Sequence, residues 1–277
     1  METKSSSVGN RVGFFVYGAA TYVLFLAVFL YMVGFAANRV VPKSIDSISG
    51  AAEPVGWAIL VNVLLLSLFA IQHTIMARPG FKQWWTRFVP SPIERSTFVL
   101  VTNAVLVLIF WQWRAMPEVV WSVESHVGSL MLHALCALGW LLALYSTFCI
   151  DHFELFGLRQ VYLNLRGRTP RHPGFATPWL YRMVRNPLML GFMIAFWATP
   201  TMTQGHLLFA LVNTAYIVII GIRFEERDLL KMLGEEYRRY RERTPMLFPW
   251  PRPRRADDPA QRGVLPEPQA VLKSSGH

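Results

Sequence analysis

The sequence predicts an all-α, polytopic transmembrane bundle of five to six helices, followed by a C-terminal cytoplasmic amphipathic helix. Hydrophobic residues make up 53% of the 277 residues and charged residues only 16%, against about 25% charged in ordinary soluble domains. Four apolar runs come close to or exceed the roughly 18 residues that a membrane-spanning helix needs. Composition and run length together therefore indicate an integral membrane protein.

The four longest apolar runs define the first half of the chain. They cover 12–37, 55–72, 96–113 and 127–150. We assign one transmembrane helix to each, so that 12–150 is a four-helix unit after a cytoplasmic N-terminal segment, 1–11. The first run is far longer than the apolar part of a signal peptide and lacks a small-residue cleavage site. We expect it to remain in the protein as a helix.

Two shorter apolar stretches follow at 188–201 and 206–222. The sequence Thr-Gln-Gly at 203–205 separates them, which favours a tight helical hairpin inside the bundle. Their length leaves open whether the hairpin spans the membrane fully.

From 223 to 243 the pattern changes from apolar to amphipathic. Leu229, Leu233, Tyr237 and Tyr240 follow one another at steps of four, four and three, which places them on one face of a helix. Glu225 lies one step further back, so the predicted stripe ends in a carboxylate.

The end of the chain has a different character. Pro245 is expected to end the amphipathic helix. Residues 250–277 contain Pro, Arg, Ser and Gly with few large apolar residues, which predicts a disordered tail.

Basic residues are distributed unevenly between alternate loops. Of the 27 Lys and Arg residues, 24 lie in the N-terminal segment, the 78–95 loop, the 151–187 loop and the chain from Arg223 onward. The other three are Arg39, Lys43 and Arg114. Because basic loops are retained in the cytoplasm, both termini are expected to be cytoplasmic. The net charge of +10 then indicates topology and contact with the lipid bilayer, and nucleic-acid binding is not predicted.

Cysteine and histidine spacing gives no metal signature. Cys136 and Cys149 are the two cysteines, and they lie on one predicted helix nearly four turns apart, too far for a disulfide. The sequence contains no CxxC, HxxxH or HExxH pattern. Neither a metal nor a haem site is predicted.

Two charged corners are expected to meet at the cytoplasmic face. Arg185-Asn186-Pro187 ends a basic loop and begins an apolar helix, where proline is favoured in the first turn. Glu225-Glu226 follows after the hairpin has returned the chain to the same face. Singly, each feature is more often a topology anchor or a partner of the helix dipole. Together they suit a charged cofactor beside the lipid.

The same residues carry a resemblance to a known superfamily. Residues 181–191 (YRMVRNPLMLG) are followed by the hairpin, Glu225-Glu226, Leu229, Gly234, Tyr237, Tyr240, Pro245 and Pro249. This order resembles the C-terminal half of isoprenylcysteine carboxyl methyltransferases, whose pattern is roughly Y-x-x-x-R-H-P, a hairpin, E-E-x-x-L, F-G-x-x-Y-x-x-Y and two prolines. Upstream, the stretches 72–78, 94–96, 151–160 and 196–202 resemble bacterial methanethiol S-methyltransferases and the related NnrU-type membrane proteins.

Two positions depart from the superfamily pattern. Asn186 stands where the superfamily usually has His, and Met189 where it often has Tyr, which puts those two contacts in question. A competing Arg-His-Pro occurs at 171–173, but no apolar helix follows it. We therefore assign the motif to 185–187.

The resemblance implies S-adenosylmethionine as cofactor, bound by the region 151–249. This molecule carries a carboxylate, an ammonium group, ribose hydroxyls and a sulfonium, so arginine and backbone N–H groups suit the first and carboxylates suit the others. The cofactor-binding candidates are Tyr181, Arg185, Asn186, Pro187, Leu188, Gly191, Glu225, Glu226, Tyr237 and Tyr240. Gly191 would allow close approach to the backbone, and the tyrosines would offer flat walls to adenine or ribose.

The resemblance also implies a small hydrophobic thiol, methanethiol, as the acceptor, with dimethyl sulfide as product. A thiol attacks as its thiolate, and the reference cysteine pKa is about 8.5, so something must favour deprotonation. The catalytic candidates at cytoplasmic helix ends are His73, Glu94, Arg95, Asp151 and His152. Structural alternatives stay open: both histidines bonded to backbone, Asp151 capping a helix, and Glu94 paired with Arg95.

Two other functions are weighed against this one. The first is an enzyme of the same fold that methylates isoprenylcysteine carboxylate or a lipid amine. The second is a non-enzymatic NnrU-like membrane protein, which need not keep both charged corners. We expect the protein to lie in a bacterial inner membrane as a multi-pass protein.

Overall fold

The computed structural model describes residues 8–48, 53–168 and 178–249. Its helices are α1 (Val8–Ala36), α2 (Val55–Ala77), α3 (Pro79–Trp85), α4 (Glu94–Gln112), α5 (His126–Ile150), α6 (His152–Leu155), α7 (Leu158–Leu165), α8 (Trp179–Met183), α9 (Pro187–Trp197), α10 (Gln204–Ala215), α11 (Arg223–Leu233) and α12 (Glu235–Arg243). Two short strands, β1 (Val119–Ser122) and β2 (Thr201–Thr203), pair antiparallel. The predicted all-α class is confirmed, and the predicted tail 250–277 lies outside the described residues.

Five helical segments in these ranges are long and apolar enough to cross a membrane. They are Val8–Ala36, Val55–Ala77, Ser91–Gln112, His126–Ile150 and Gln204–Leu233. The apolar helix α9 is shorter, at 11 residues. The four predicted runs in the first half of the chain thus correspond to four helices of membrane length, and the predicted count of five to six is confirmed.

The hairpin packs onto the bundle through a close contact between α5 and α9. A Cβ atom built on Gly191 would lie 2.5 Å from the backbone nitrogen of Ala143, and one built on Gly139 would lie 2.6 Å from that of Ala195. Small residues let membrane helices approach this closely. The prediction that Gly191 admits a cofactor is therefore corrected, because helix α5 occupies that side of the glycine.

The second arm of the hairpin is longer than the sequence predicted. Instead of a short span over 206–222, one helix runs across Gln204–Leu233, with a π-helical segment at Tyr216–Ile222. Glu225 and Glu226 therefore lie inside a continuous helix. A partnership with a helix N-terminus does not explain them, since the dipole effect is confined to the first turn.

The predicted amphipathic helix is interrupted at Gly234. This residue has φ 56° and ψ −124°, a combination that glycine adopts far more readily than other residues. The chain changes direction there and α12 begins at Glu235. The predicted stripe that joined Leu229 and Leu233 to Tyr237 on one face is corrected accordingly.

One end of the bundle gathers the candidate residues. The N–H of Arg185, at the start of α9, donates to the Pro245 carbonyl at 2.9 Å. The Tyr181 hydroxyl on α8 donates to the Ser146 carbonyl near the end of α5 at 3.5 Å. At the opposite end, β1 and β2 close the connection between α9 and α10. The first end is the face that the basic residues predict to be cytoplasmic.

Candidate functional site

The Arg185 side chain joins three parts of the chain and is only 6% exposed. Its Nε and Nη2 donate to Glu226 Oε1 at 2.7 and 2.6 Å. Its Nη1 donates to the backbone carbonyls of Arg241 and Thr244 at 2.8 and 2.5 Å. All three guanidinium nitrogens are used within the protein, so a cofactor carboxylate would have to displace Glu226 to reach them. In this structure Arg185 is a clamp between α9, α11 and the end of α12.

The residues after Arg185 begin α9, as the sequence predicts. Pro187 occupies the first turn, where its missing N–H sacrifices no helical bond, and Leu188 beside it is half-buried. The backbone N–H and the Nδ2 of Asn186 both donate to the Met246 carbonyl at 3.2 Å. Asn186, the position that departs from the superfamily, thus docks the C-terminal segment and does not cap the helix.

Three tyrosines hold α8 and α12 beside this clamp. The Tyr240 hydroxyl donates to the Tyr181 carbonyl at 2.6 Å, and the ring centres of Tyr237 and Tyr240 are 5.7 Å apart. Burial raises the pKa of Tyr181 and of Tyr237 above the ordinary range and raises the pKa of Tyr240 to about 12. All three hydroxyls therefore stay protonated and able to donate at neutral pH.

The two adjacent glutamates have different surroundings. Glu226 is paired with Arg185, whereas Glu225 has no hydrogen-bond or ion-pair partner in the described part of the chain. Glu225 is close enough to Tyr181 for its charge to raise the tyrosine's pKa further. An unpaired carboxylate beside tyrosine rings is an open position for a cation.

A second group of candidate residues lies between α2 and α4. The His73 ring is 5.3 Å from the Phe69 ring and 5.1 Å from the Phe98 ring, measured between centres. Its Nδ1 is buried and has no hydrogen-bond partner among the described residues. The alternative in which His73 is bonded to backbone at this nitrogen is therefore wrong. An unbonded imidazole nitrogen is available to accept a proton.

Arg95 lies at the start of α4, one turn before Phe98. Its Nε donates to the Leu155 carbonyl at 2.7 Å, and its guanidinium carbon is 4.9 Å from the centre of the Phe98 ring. Its terminal nitrogens make no hydrogen bond to any described residue. Within the same ranges no ion pair joins Arg95 to Glu94, so the alternative that these two side chains pair with each other is wrong.

His152 belongs to the packed core, and its predicted catalytic role is corrected. The side chain is 2% exposed. Its Nε2 bonds to the Tyr22 hydroxyl at 2.8 Å and its Nδ1 to the Thr147 hydroxyl at 2.7 Å, while its ring stacks on Phe148. Burial lowers the pKa of His152. With both nitrogens engaged, this imidazole is a neutral link between α1 and α5 and cannot collect a substrate proton.

Asp151 is also structural. Its Oδ1 accepts the Glu154 N–H at 3.0 Å and caps α6. Its other oxygen is paired with Arg159, which also contacts Glu154 at 3.2 Å. Asp151 therefore caps α6, as the structural alternative expects, and both of its oxygens are engaged within the protein.

We expect changes at these two residues to affect stability and leave turnover alone. His152→Phe keeps the stacked ring but leaves the Tyr22 hydroxyl without its imidazole partner, at a cost of about 1–3 kcal/mol, whereas the Thr147 hydroxyl keeps its bond to the Leu144 carbonyl. Asp151→Asn keeps the cap and loses an ion pair worth less than about 1 kcal/mol. Thermal unfolding in detergent and initial rates per folded molecule separate the two effects. A large loss of turnover in Asp151→Asn at unchanged melting temperature would restore its catalytic role.

Sequence reasoning missed Tyr216, which connects the two groups. Its hydroxyl is 3.4 Å from the Thr74 hydroxyl on α2, and its ring centre is 6.1 Å from that of Phe69. Tyr216 and Met189 also pack on the same buried cluster. Tyr216 begins the π-helical segment, a distortion frequently found at functional sites. The sequence signal that could have found Tyr216 is a hydroxyl-bearing residue in the middle of the apolar stretch 206–222.

A second missed contact fixes α11 against α2. Arg78 Nη1 is 2.7 Å from Asp228 Oδ2, and the Arg78 guanidinium lies 4.3 Å from the Phe224 ring centre. Because both charged groups are about a third exposed, at 31% and 36%, the pair adds little stability. The pair does hold α11, one turn after Glu225, next to the C-terminal end of α2, the helix that carries His73. The 150-residue separation leaves no local pattern to reveal it.

This architecture has close relatives among known proteins. The chain is 56% identical over 236 residues to a methanethiol S-methyltransferase of Mycobacterium tuberculosis, a match that covers 85% of this chain and 96% of that protein. The chain belongs to the methanethiol S-methyltransferase family. Methanethiol S-methyltransferase 2 of Bradyrhizobium diazoefficiens is 53% identical, over 86% of this chain and 91% of its own length. No family model and no solved structure matches the chain.

A more distant similarity extends beyond bacteria. Nurim of Rattus norvegicus is 27% identical over 222 residues, covering 72% of this chain and 82% of nurim. This agrees with the wider membrane superfamily that the sequence predicts. Membership of the methanethiol S-methyltransferase family makes the chain a methyltransferase, and the non-enzymatic alternative is not favoured.

Proposed function

We propose that the chain methylates methanethiol with S-adenosylmethionine, giving dimethyl sulfide. The observation that carries this proposal is the 56% identity, over nearly the whole length of the relative, to a protein named methanethiol S-methyltransferase. The two groups of side chains at one end of the bundle support it. The group around Arg185 and Glu225 suits a charged methyl donor. The group around His73 and Arg95 suits a small thiol acceptor.

The described residues fit the methyl donor around Glu225. When bound, S-adenosylmethionine supplies a methyl group on a positively charged sulfur. Glu225 has no hydrogen-bond or ion-pair partner among the described residues, so its carboxylate can hold a cationic group without breaking a bond seen there. Tyr181 and Tyr240 contribute aromatic surface for the ribose and adenine. Arg185 supports this position indirectly, because its pair with Glu226 fixes the helix that carries Glu225.

The first turn of α9 supplies the complementary charge. Backbone N–H groups at a helix N-terminus point outward and carry partial positive charge, which suits an anion. In α9 this turn begins at Pro187 and Leu188, directly after the Arg185 clamp, and the Asn186 side chain does not cap it. We assign the carboxylate of the cofactor to these N–H groups and leave Arg185 with Glu226.

His73 and Arg95 prepare the acceptor. The unpartnered nitrogen of His73 takes the thiol proton. The positive charge of Arg95, whose terminal nitrogens make no hydrogen bond to a described residue, stabilises the thiolate that remains. Phe69 and Phe98 surround the imidazole with apolar rings, and this low polarity strengthens the attraction between the charges. Glu94 lies beside Arg95 at the start of α4, without an ion pair between the two in the described residues.

We also propose that the protein lies in a bacterial inner membrane with both termini in the cytoplasm. The support is the distribution of basic residues, 24 of 27 on alternate loops of one side. The short helix α9 and the long helix that follows it then form the last two membrane crossings.

A headspace measurement tests the proposed reaction. The purified full-length protein is mixed with S-adenosylmethionine and methanethiol, and dimethyl sulfide is measured by gas chromatography, with an isoprenylcysteine analogue and a lipid amine as parallel acceptors. We expect dimethyl sulfide to form in equal amount to S-adenosylhomocysteine. Cofactor binding without dimethyl sulfide would refute the thiol acceptor, and absence of cofactor binding would refute the methyl donor.

A further inference from the structure

We propose that Gln72 holds the S–H group of the acceptor thiol beside His73; this deepens the proposed function and rests on it. Gln72 directly precedes His73 on α2, and both side chains face α4. Gln72 reaches the Thr102 hydroxyl, and His73 contacts the ring of Phe98, one turn earlier on α4. The two residues therefore share one helix interface.

The hydrogen bonds around Gln72 determine which way its amide points. Its Nε2 donates to Met76 Sδ at 3.1 Å and to Thr102 Oγ1 at 3.4 Å. The Thr102 hydroxyl gives its own proton to the Phe98 carbonyl at 2.9 Å, so towards Gln72 it can act only as an acceptor. Turning the amide round would lose this bond. The Oε1 of Gln72 is therefore directed away from Thr102.

That oxygen is buried and has no hydrogen-bond partner among the described residues, and the same holds for His73 Nδ1. Both residues lie in a helix of membrane length, where lipid offers no hydrogen bonds and unsatisfied polar groups are especially unfavourable. Native proteins rarely leave such atoms without a partner. An acceptor oxygen and, on the following residue of the same helix, a nitrogen that can take a proton suit a ligand with one acidic hydrogen.

A small thiol supplies that hydrogen. Its S–H donates to Gln72 Oε1, which holds the sulfur next to the imidazole. The proton then passes from the sulfur to a ring nitrogen of His73, which becomes an imidazolium, and the sulfur keeps the electron pair as a thiolate. Gln72 gains and loses no proton, so it is a positioning residue. The rings of Phe69 and Phe98 provide apolar surroundings for the methyl group.

Steady-state kinetics of Gln72→Leu in the purified full-length protein test this role. We expect the KM for methanethiol to rise about tenfold, the effect of one lost hydrogen bond, while the KM for S-adenosylmethionine and the melting temperature stay near wild type. Gln160→Leu is the matched control. Gln160 also has a buried Oε1 without a partner, but it lies on α7, where its Nε2 donates to the Glu154 carbonyl at 3.0 Å. Its KM for methanethiol is expected to stay unchanged.

Inhibition by dimethyl sulfide separates positioning from packing, because this product has no S–H group. We expect Gln72→Leu to leave its inhibition constant unchanged while the KM for methanethiol rises. If the KM for methanethiol and the inhibition constant for dimethyl sulfide rise equally, Gln72 acts by packing and not by a hydrogen bond to the S–H group, and the proposal is overturned. An unchanged KM for methanethiol would also overturn it, with water as the partner of Oε1. Failure of the reaction itself is seen separately, as wild-type protein that makes no dimethyl sulfide.

Discussion

Arg185→Ala is expected to destabilise the C-terminal part of the site and to abolish cofactor binding. The change leaves the Glu226 carboxylate, 13% exposed, without its Arg185 counter-ion, and it removes the Arg185 hydrogen bonds to the carbonyls of Arg241 and Thr244. Removing one partner of a buried ion pair costs about 3–5 kcal/mol. Thermal unfolding in detergent is expected to show a clearly lower melting temperature, and proteolysis is expected to cut the segment after Gly234 first.

Two further variants separate the clamp from direct cofactor contact. Arg185→Met combined with Glu226→Met removes both charges, and replacing a buried pair by apolar residues is often close to neutral for stability. We expect this double variant to regain most of the melting temperature and part of the cofactor affinity. Glu225→Gln is the matched single change. It is expected to keep the wild-type melting temperature and to weaken S-adenosylmethionine binding by about tenfold or more, measured by calorimetry.

The opposite result would support direct binding of the cofactor by Arg185, the role that its motif predicts. If Arg185→Ala melts at the wild-type temperature but no longer binds cofactor, the arginine is a direct ligand and Glu226 is its support. The motif alone could not separate these roles. Its order along the chain indicates that an arginine and two glutamates meet, but not which glutamate the arginine takes.

The membrane bundle could be predicted because its signals are local. Each of the first four helices is an uninterrupted apolar run, and hydrophobic length alone decides whether such a run can span a membrane. The hairpin could be placed for the same reason. Its second arm was predicted too short because charged side chains at Arg223 and Glu225 end the hydropathy signal, whereas the backbone bonds of the helix continue to Leu233.

The site could be predicted only in part, since the roles of its residues depend on distant partners. Asp151 and His152 look like a catalytic pair in the sequence, but Arg159 and Tyr22 occupy them in the fold. Gly191 looks like a ligand-approach glycine, but Ala143 on α5 lies against it. These partners come from other helices, and a single sequence contains no record of which helix faces which.

The helix that carries Glu225 also contacts α2, the helix that carries His73, and so connects the proposed cofactor site to the proposed acceptor site. Asp228 ties that helix to Arg78 at the end of α2, and Tyr216 contacts Thr74 one residue after His73. Glu225 lies between these two contacts along the same helix. A π-helical segment shifts the side-chain register of the residues that follow it. The segment Tyr216–Ile222 therefore sets which side of α11 carries Glu225, and it links the cofactor group to the acceptor group.

His73→Phe is expected to lower turnover by about 10²–10⁴-fold, the range for loss of a general base. A phenylalanine preserves the stacking between Phe69 and Phe98 while removing both ring nitrogens, so folding and S-adenosylmethionine affinity are expected to stay near wild type. Turnover is measured at saturating cofactor and methanethiol, as dimethyl sulfide in the headspace. Asp151→Asn, whose carboxylate caps α6, is the comparison that should keep its rate.

The acidity of the thiol decides whether His73 acts as a base. Trifluoroethanethiol is more acidic than ethanethiol and of similar size, so a larger share of it reaches the site as thiolate and needs no proton acceptor. If His73 removes the proton, the defect of His73→Phe relative to wild type is expected to shrink for the fluorinated thiol and to persist for ethanethiol. An equal defect with both thiols would mean that His73 positions the acceptor without taking its proton. Deprotonation would then depend on the positive charges of Arg95 and of the sulfonium.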